Sequence, residues 1–137
     1  MVARGVFGWA AVAAMMAGGP ATAAGDKGPL AAYLWKSRVL VVAAPDADDP
    51  RLAAQRQALA SARRGTAELD LVTVEAVGQG AEAVALRRAL GLPADAFRAV
   101  LVGKDGGAKL SAEEPIPPQR LFSTIDAMPM RRDEMRR

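Results

Sequence analysis

The chain contains no cysteine and no histidine. Without a thiol there is no thiolate, so disulfide exchange and peroxide reduction through a sulfenic acid are closed to the protein acting alone. Without an imidazole the commonest metal ligand and acid–base group is missing, and no Ser/His/Asp arrangement is available. No cysteine follows the N-terminal apolar run to carry a lipid, and a small exported domain with no disulfide has to be held by packing alone. P-loop and Rossmann glycine patterns are absent, as are internal repeats. A strong excess of one charge is lacking as well: 18 basic against 15 acidic residues leave a net of +3, which argues against a nucleic-acid partner.

An apolar run long enough to cross a membrane is also lacking. Residues 6–17 are apolar, but Gly18-Gly19-Pro20 breaks them after about twelve residues, short of the roughly 20 that a spanning helix needs. With Arg4 before the run and Ala21-Thr22-Ala23 after it, the pattern predicts a secretory leader over residues 1–23, cleaved before Ala24. The expectation is an exported chain of about 114 residues, periplasmic or secreted, with a linker over 24–29 and one domain over 30–137. Stable membrane insertion after cleavage is not expected.

What is present is an ordered series of apolar segments. Residues 30–35 suggest one helical turn that lays Tyr33 or Trp35 against the domain. Residues 38–44 run apolar without alternation, the pattern of a central strand covered on both faces. Asp49-Pro50 is a helix start, and that helix is expected to run to about Arg64, with Gly65 closing it. Residues 69–75 alternate imperfectly and read as a strand nearer an edge. A helix over 81–90 stopped by Gly91, a second continuous apolar strand over 97–102, an Asp105-Gly106 hairpin turn and a returning strand follow. Pro117-Pro118 introduces a last helix with Leu121, Phe122 and Ile125 on one stripe, ending near Pro129. The order β-α-β-α-β-β-α, with a right-handed crossover between the first two strands and a tight hairpin between the last two, predicts a mixed four-stranded sheet with the first and third strands inside. That α/β arrangement is the thioredoxin-like core.

Gly103-Lys104-Asp105-Gly106-Gly107-Ala108-Lys109-Leu110, then Leu121-Phe122-Ser123-Thr124-Ile125-Asp126-Ala127-Met128-Pro129-Met130-Arg131 and Glu134-Met135, carry a resemblance to a known family. Over about residues 30–137 the chain resembles the bacterial branch of the DUDES-type domain. This is a peroxiredoxin-like domain of unknown function, found alone in exported bacterial proteins and within secreted animal proteins with sushi repeats. The resemblance implies a thioredoxin-like fold and brings no settled activity. Arg98-Ala99-Val100-Leu101-Val102 is similar to the peroxiredoxin stretch whose arginine stabilises the reactive thiolate. It implies that Arg98 sits beside the start of the first helix. Where a peroxiredoxin has its cysteine, this chain has Pro45-Asp46-Ala47-Asp48-Asp49-Pro50.

Three clusters are candidate sites, each with a structural alternative. Asp46, Asp48 and Asp49 crowd a helix N-terminus, where carboxylates cap free N–H groups, and they also make a shallow site for a hard cation, although no Ca²⁺ loop has this spacing. Lys104, Asp105 and Lys109 around the glycine pair present backbone N–H groups and ammonium charge to an anion, or simply form a solvated hairpin. Met128, Met130 and Met135 are soft thioethers suited to Cu(I), or gap-fillers where a terminal segment docks. The charged end, from Arg131 to Arg137, reads either as a solvated tail or as a contact for an anionic surface, and Asp126 is expected to pair with Arg98 or Arg131 and pin it.

The reading that follows is a non-catalytic exported domain that binds a protein or small ligand, with no cofactor. Its expected functional surface joins the Lys104 hairpin to the Met128 segment, with Arg98, Asp126 and Arg131 contributing. The alternative is a redox or metal-dependent accessory enzyme that uses Asp48, Asp49, Arg98 or a bound metal in a peroxiredoxin-like cleft.

Overall fold

The computed structural model describes residues 28–136. The leader expected over residues 1–23 and most of the linker expected over 24–29 lie outside the described residues. The fold itself lies in the unit Ala32–Arg137. After a 3-10 turn, Ala31–Tyr33, come β1 (Arg38–Ala44), α1 (Pro50–Ser61), α2 (Arg63–Glu68), β2 (Leu71–Val77), α3 (Ala81–Leu90), β3 (Arg98–Val102), β4 (Ala108–Ala112), α4 (Pro118–Asp126) and α5 (Pro129–Met135). Among the described residues no helix is long and apolar enough to cross a membrane.

The class and topology are those the apolar pattern predicts. The sheet is mixed, in the order β2-β1-β3-β4, with β1 parallel to β2 and antiparallel to β3. Every residue of β1 is buried, and four of the five in β3 are, so the two continuous apolar runs are the two inner strands. Alternation then sorts β1 into two faces. Leu40, Val42 and Ala44 join Leu52 of α1 and Leu121 and Ile125 of α4 in one core cluster with Phe97, Leu101, Ile116 and Met128. Val39, Val41 and Ala43 turn the other way, where Ala83 and Leu86 of α3 are buried. The arrangement is compatible with a thioredoxin-like core.

Two further polar side chains are buried inside this frame and bonded to backbone, Gln55 at both ends of its amide and Arg87 through Nη1 and Nη2 but not Nε. Gln55 of α1 donates from Nε2 to the Ile116 carbonyl at 3.0 Å and accepts the Ile116 N–H at 2.7 Å, which pins the connection ahead of α4. Arg87 of α3 donates to the carbonyls of Gly78, Ala44 and Ala76, at the ends of the two parallel strands.

The structure differs from expectation at three joints. The first helix is two: it stops at Ser61, Ala62 leaves the helical region, and Gly65 lies inside α2 instead of ending α1. Gly65 is needed there because the Phe122 ring of α4 lies on it, so close that an added Cβ would meet ring carbons at 2.7 Å. Gly65→Ala should therefore destabilise by about 1 kcal/mol, although alanine is the better helix former. Thermal unfolding of the variant checks this, and a raised melting temperature would show that the ring moves aside freely. Next, β2 begins at Leu71 instead of Leu69, because Asp70 has a positive φ of 51° and cannot continue a strand. Finally, Pro129 starts a helix, as proline at the first helical position does, so the charged end is α5 and not an irregular tail.

Candidate functional site

The site is built around the first residue of β1. Arg38 heads a wholly apolar strand, and its side chain is entirely buried. A guanidinium in that position has to find acceptors. Nη1 donates to the Leu69 carbonyl at 2.7 Å, Nη2 donates to Glu134 Oε2 at 3.2 Å, and Nε has no partner. Glu134 belongs to α5. The same Oε2 accepts from Lys104 Nζ at 2.8 Å, and Lys104 donates again to Asp70 Oδ2 at 3.0 Å. Arg131 completes the group, 3.5 Å from Glu134 Oε1 and 3.3 Å from Asp126 Oδ1.

Burial works against the charge on Glu134, but hydrogen bonds from Lys104 and Arg38, with their positive charge, outweigh it and hold the carboxyl at about 2 instead of 4.5. Burial likewise works against the Lys104 ammonium, and its bonds to Glu134 and Asp70 more than offset this, leaving its pKa raised. The pair is thus ionised throughout the neutral range. No side chain of α5 is buried and none caps it, and a seven-residue helix is marginal by itself. What holds α5 is Met128, buried just ahead of it, and the Glu134 carboxylate.

Strain collects at the same place. Among the described residues, the non-glycine residues with positive φ are Trp35 (66°) and Asp70 (51°). A bulky residue in the left-handed region costs on the order of 1–3 kcal/mol. The Trp35 N–H donates to the Lys104 carbonyl at 2.6 Å, and the Asp70 carbonyl accepts the Arg38 N–H at 2.8 Å. Both residues are thereby tied to the ion-pair group.

Between these parts lies a cleft of about 250 Å³. Trp35, Met128, Pro129 and Met130 supply its apolar lining, while Arg38, Gly103, Lys104, Asp105 and Lys109 close the polar side. A second, more polar hollow of about 470 Å³ shares Trp35, Lys104 and Met130 and reaches Asp70 and Glu134. The hairpin that forms the polar side is shaped by Gly106, at φ 85°, and by Asp105, whose Oδ1 accepts the Gly107 N–H at 3.0 Å. That bond and the Lys109 ammonium, 2.9 Å from Oδ2, lower the Asp105 pKa.

Of the residues singled out by sequence, Lys104, Asp105, Lys109, Met128 and Met130 line the cleft, and Asp126 and Arg131 brace the helix beside it. Three expectations need correction. Arg98 stands opposite Ala43 at the far end of β1, about 16 Å of strand from Arg38, so it does not join the Lys104 surface; its partners are the Phe97 carbonyl and Glu113, and of the two pairings expected for Asp126 the one with Arg131 forms. Lys104 is not a free ammonium awaiting an anion, because two carboxylates already hold it. Met135 is half exposed and lies outside the cleft lining, so the three methionines do not form one cluster.

The acidic cluster serves the helix start. Asp49 is buried, and its Oδ1 accepts the Arg51 N–H at 2.9 Å; Asp46 accepts the Asp48 N–H. Among the described residues no group of three His, Cys, Asp or Glu side chains is placed to hold a metal ion.

Sequence reasoning passed over Arg38, Glu134 and Asp70, and of the two aromatics expected against the domain Tyr33 is half-buried while Trp35 is 62% exposed. One signal was available. An arginine opening an otherwise apolar, doubly covered strand requires a carboxylate or several carbonyls from elsewhere in the chain.

The model of one protein family, described as a domain of unknown function (DUF4174), matches residues 29–134. No curated protein and no solved structure matches the chain.

Proposed function

The chain belongs to the DUF4174 family, and from that premise we propose that it is an exported, non-catalytic binding module of the DUDES type on a thioredoxin-like core. Its partner is a protein or small ligand from the periplasmic or extracellular space, and the binding face is the cleft between the Lys104 hairpin and α5. One observation carries the reading: the exposed Trp35, in a costly backbone conformation, stands over a cleft whose other walls are Met130, Lys104 and Lys109. Strained backbone and a large exposed aromatic serve no packing purpose there, and both suit a preorganised recognition site. The absence of any thiol supports a role without thiol redox chemistry.

The test uses residues that line the cleft without holding the fold. Lys109 pairs only with the exposed Asp105, and Met130 is exposed. In capture from the exported fraction, Lys109→Ala and Met130→Ala are expected to weaken binding by about 1 kcal/mol or more each, with unchanged melting temperature. Non-additivity in the double variant would follow from a shared site. Retained binding in both variants, or peroxide turnover by the metal-free protein, would contradict the proposal.

A further inference from the structure

We infer that the cleft is a site for a soft monovalent cation, Cu(I) or its analogue Ag(I), bound by the thioethers of Met128 and Met130 against the indole of Trp35. The inference rests on reading that cleft as a binding site, and it assigns an inorganic ligand to it. Met128 and Met130 flank Pro129, and both line the same 250 Å³ space as Trp35. Their environments are complementary. Met128 belongs to the core cluster and is 8% exposed, which fixes its position, whereas Met130 is 38% exposed and free to adjust. Gap filling accounts for Met128 but not for Trp35, which leaves most of its surface in water, and it leaves unexplained the exposed 38% of Met130.

The donor set decides the class of ion. Hard divalent cations want several carboxylate or carbonyl oxygens. The carboxylates beside the cleft are already bonded to cations: Glu134 to Arg38 and Lys104, Asp70 to Lys104, and Asp105 to Lys109. What remains uncommitted is neutral and soft. Thioethers select Cu(I), and a filled-shell monovalent ion accepts two such donors without further protein ligands. The face of an indole attracts a cation and excludes water from one side. The three cationic side chains in the lining are each neutralised by the pairs just named, and a single positive charge meets less residual repulsion than a double one.

Trp35 is its own reporter, since the only other tryptophan is Trp9. In the full chain carrying Trp9→Phe, titration with Ag(I) in halide-free buffer should quench the Trp35 emission and saturate at one equivalent. Met130→Leu, a volume-conserving change at an exposed residue, should weaken binding at least tenfold. Met135→Leu should leave it unaltered, and Ca²⁺ should not compete. An emission unchanged by excess Ag(I), quenching that survives Met130→Leu, or competition by Ca²⁺ would each overturn the inference. Lys109→Ala separates the two readings: it should weaken macromolecular capture, while Ag(I) still quenches Trp35 and the quenching still depends on Met130. If Ag(I) fails while capture still depends on Lys109 and Met130, only the metal assignment falls.

Discussion

Glu134→Ala is expected to destabilise the domain by about 3 kcal/mol at pH 7. Removing one partner of a buried pair leaves the other charge uncompensated, at a cost of roughly 3–5 kcal/mol when both are fully buried. Here Arg38 is fully buried and Glu134 is about one-fifth exposed, which places the effect at the lower end. The pH dependence has a definite sign. Because the Glu134 carboxyl is depressed to about 2 in the folded protein, its contribution is complete above about pH 4.5 and is lost as the pH falls towards 2. Denaturant unfolding of both proteins at several pH values checks this. The gap between wild type and Glu134→Ala should be widest near neutrality and shrink below pH 4.5. A gap that is small at pH 7, or that does not narrow in acid, would show that Glu134 is an ordinary surface residue.

The second large effect belongs to Gln55. Its amide satisfies both the N–H and the carbonyl of Ile116, and all of these groups are buried. Gln55→Ala leaves two backbone groups without partners, each worth about 1–3 kcal/mol, so a total loss of about 3 kcal/mol is expected. Gln55→Glu should also destabilise, since a carboxylate has no N–H for the Ile116 carbonyl. Equilibrium unfolding measures both, and a change below about 1 kcal/mol in either would mean that water replaces the amide.

Which features were legible in the sequence follows from how local their causes are. The inner strands were readable because continuous apolar residues have one explanation, burial on both faces, and Val39 to Ala43 and Ala99 to Val102 need no partner to be recognised. The hairpin was readable because Asp105-Gly106 encodes its own turn. The Gly65 contact was not, since a glycine in mid-helix is visible only as a weak helix former until Phe122, 57 positions later, is seen lying on it. The same holds for the site. Glu134 is an unremarkable acid in a charged segment, and Arg38 is the polar end of a strand. Their meeting depends on a separation of 96 residues that periodicity does not encode. Local charge density pointed instead to Asp46, Asp48 and Asp49, where Asp49 caps the helix and Asp46 accepts the Asp48 N–H. Arg98 drew attention by analogy with a thiol site, and the strand register sets it at the opposite end of the sheet from the cleft.

That opposition permits a direct test of the claim that the binding face is the Trp35–Lys104–Met130 cleft. Amide hydrogen exchange, measured on the purified protein alone and in complex with its captured partner, reads which end is covered. The account predicts slowed exchange over residues 103–110 and 128–134, with no change over 45–51 and 97–99. Protection confined to residues 45–51 and 97–99, beside Arg98 and the start of α1, would contradict it and place the site at the opposite end of the sheet.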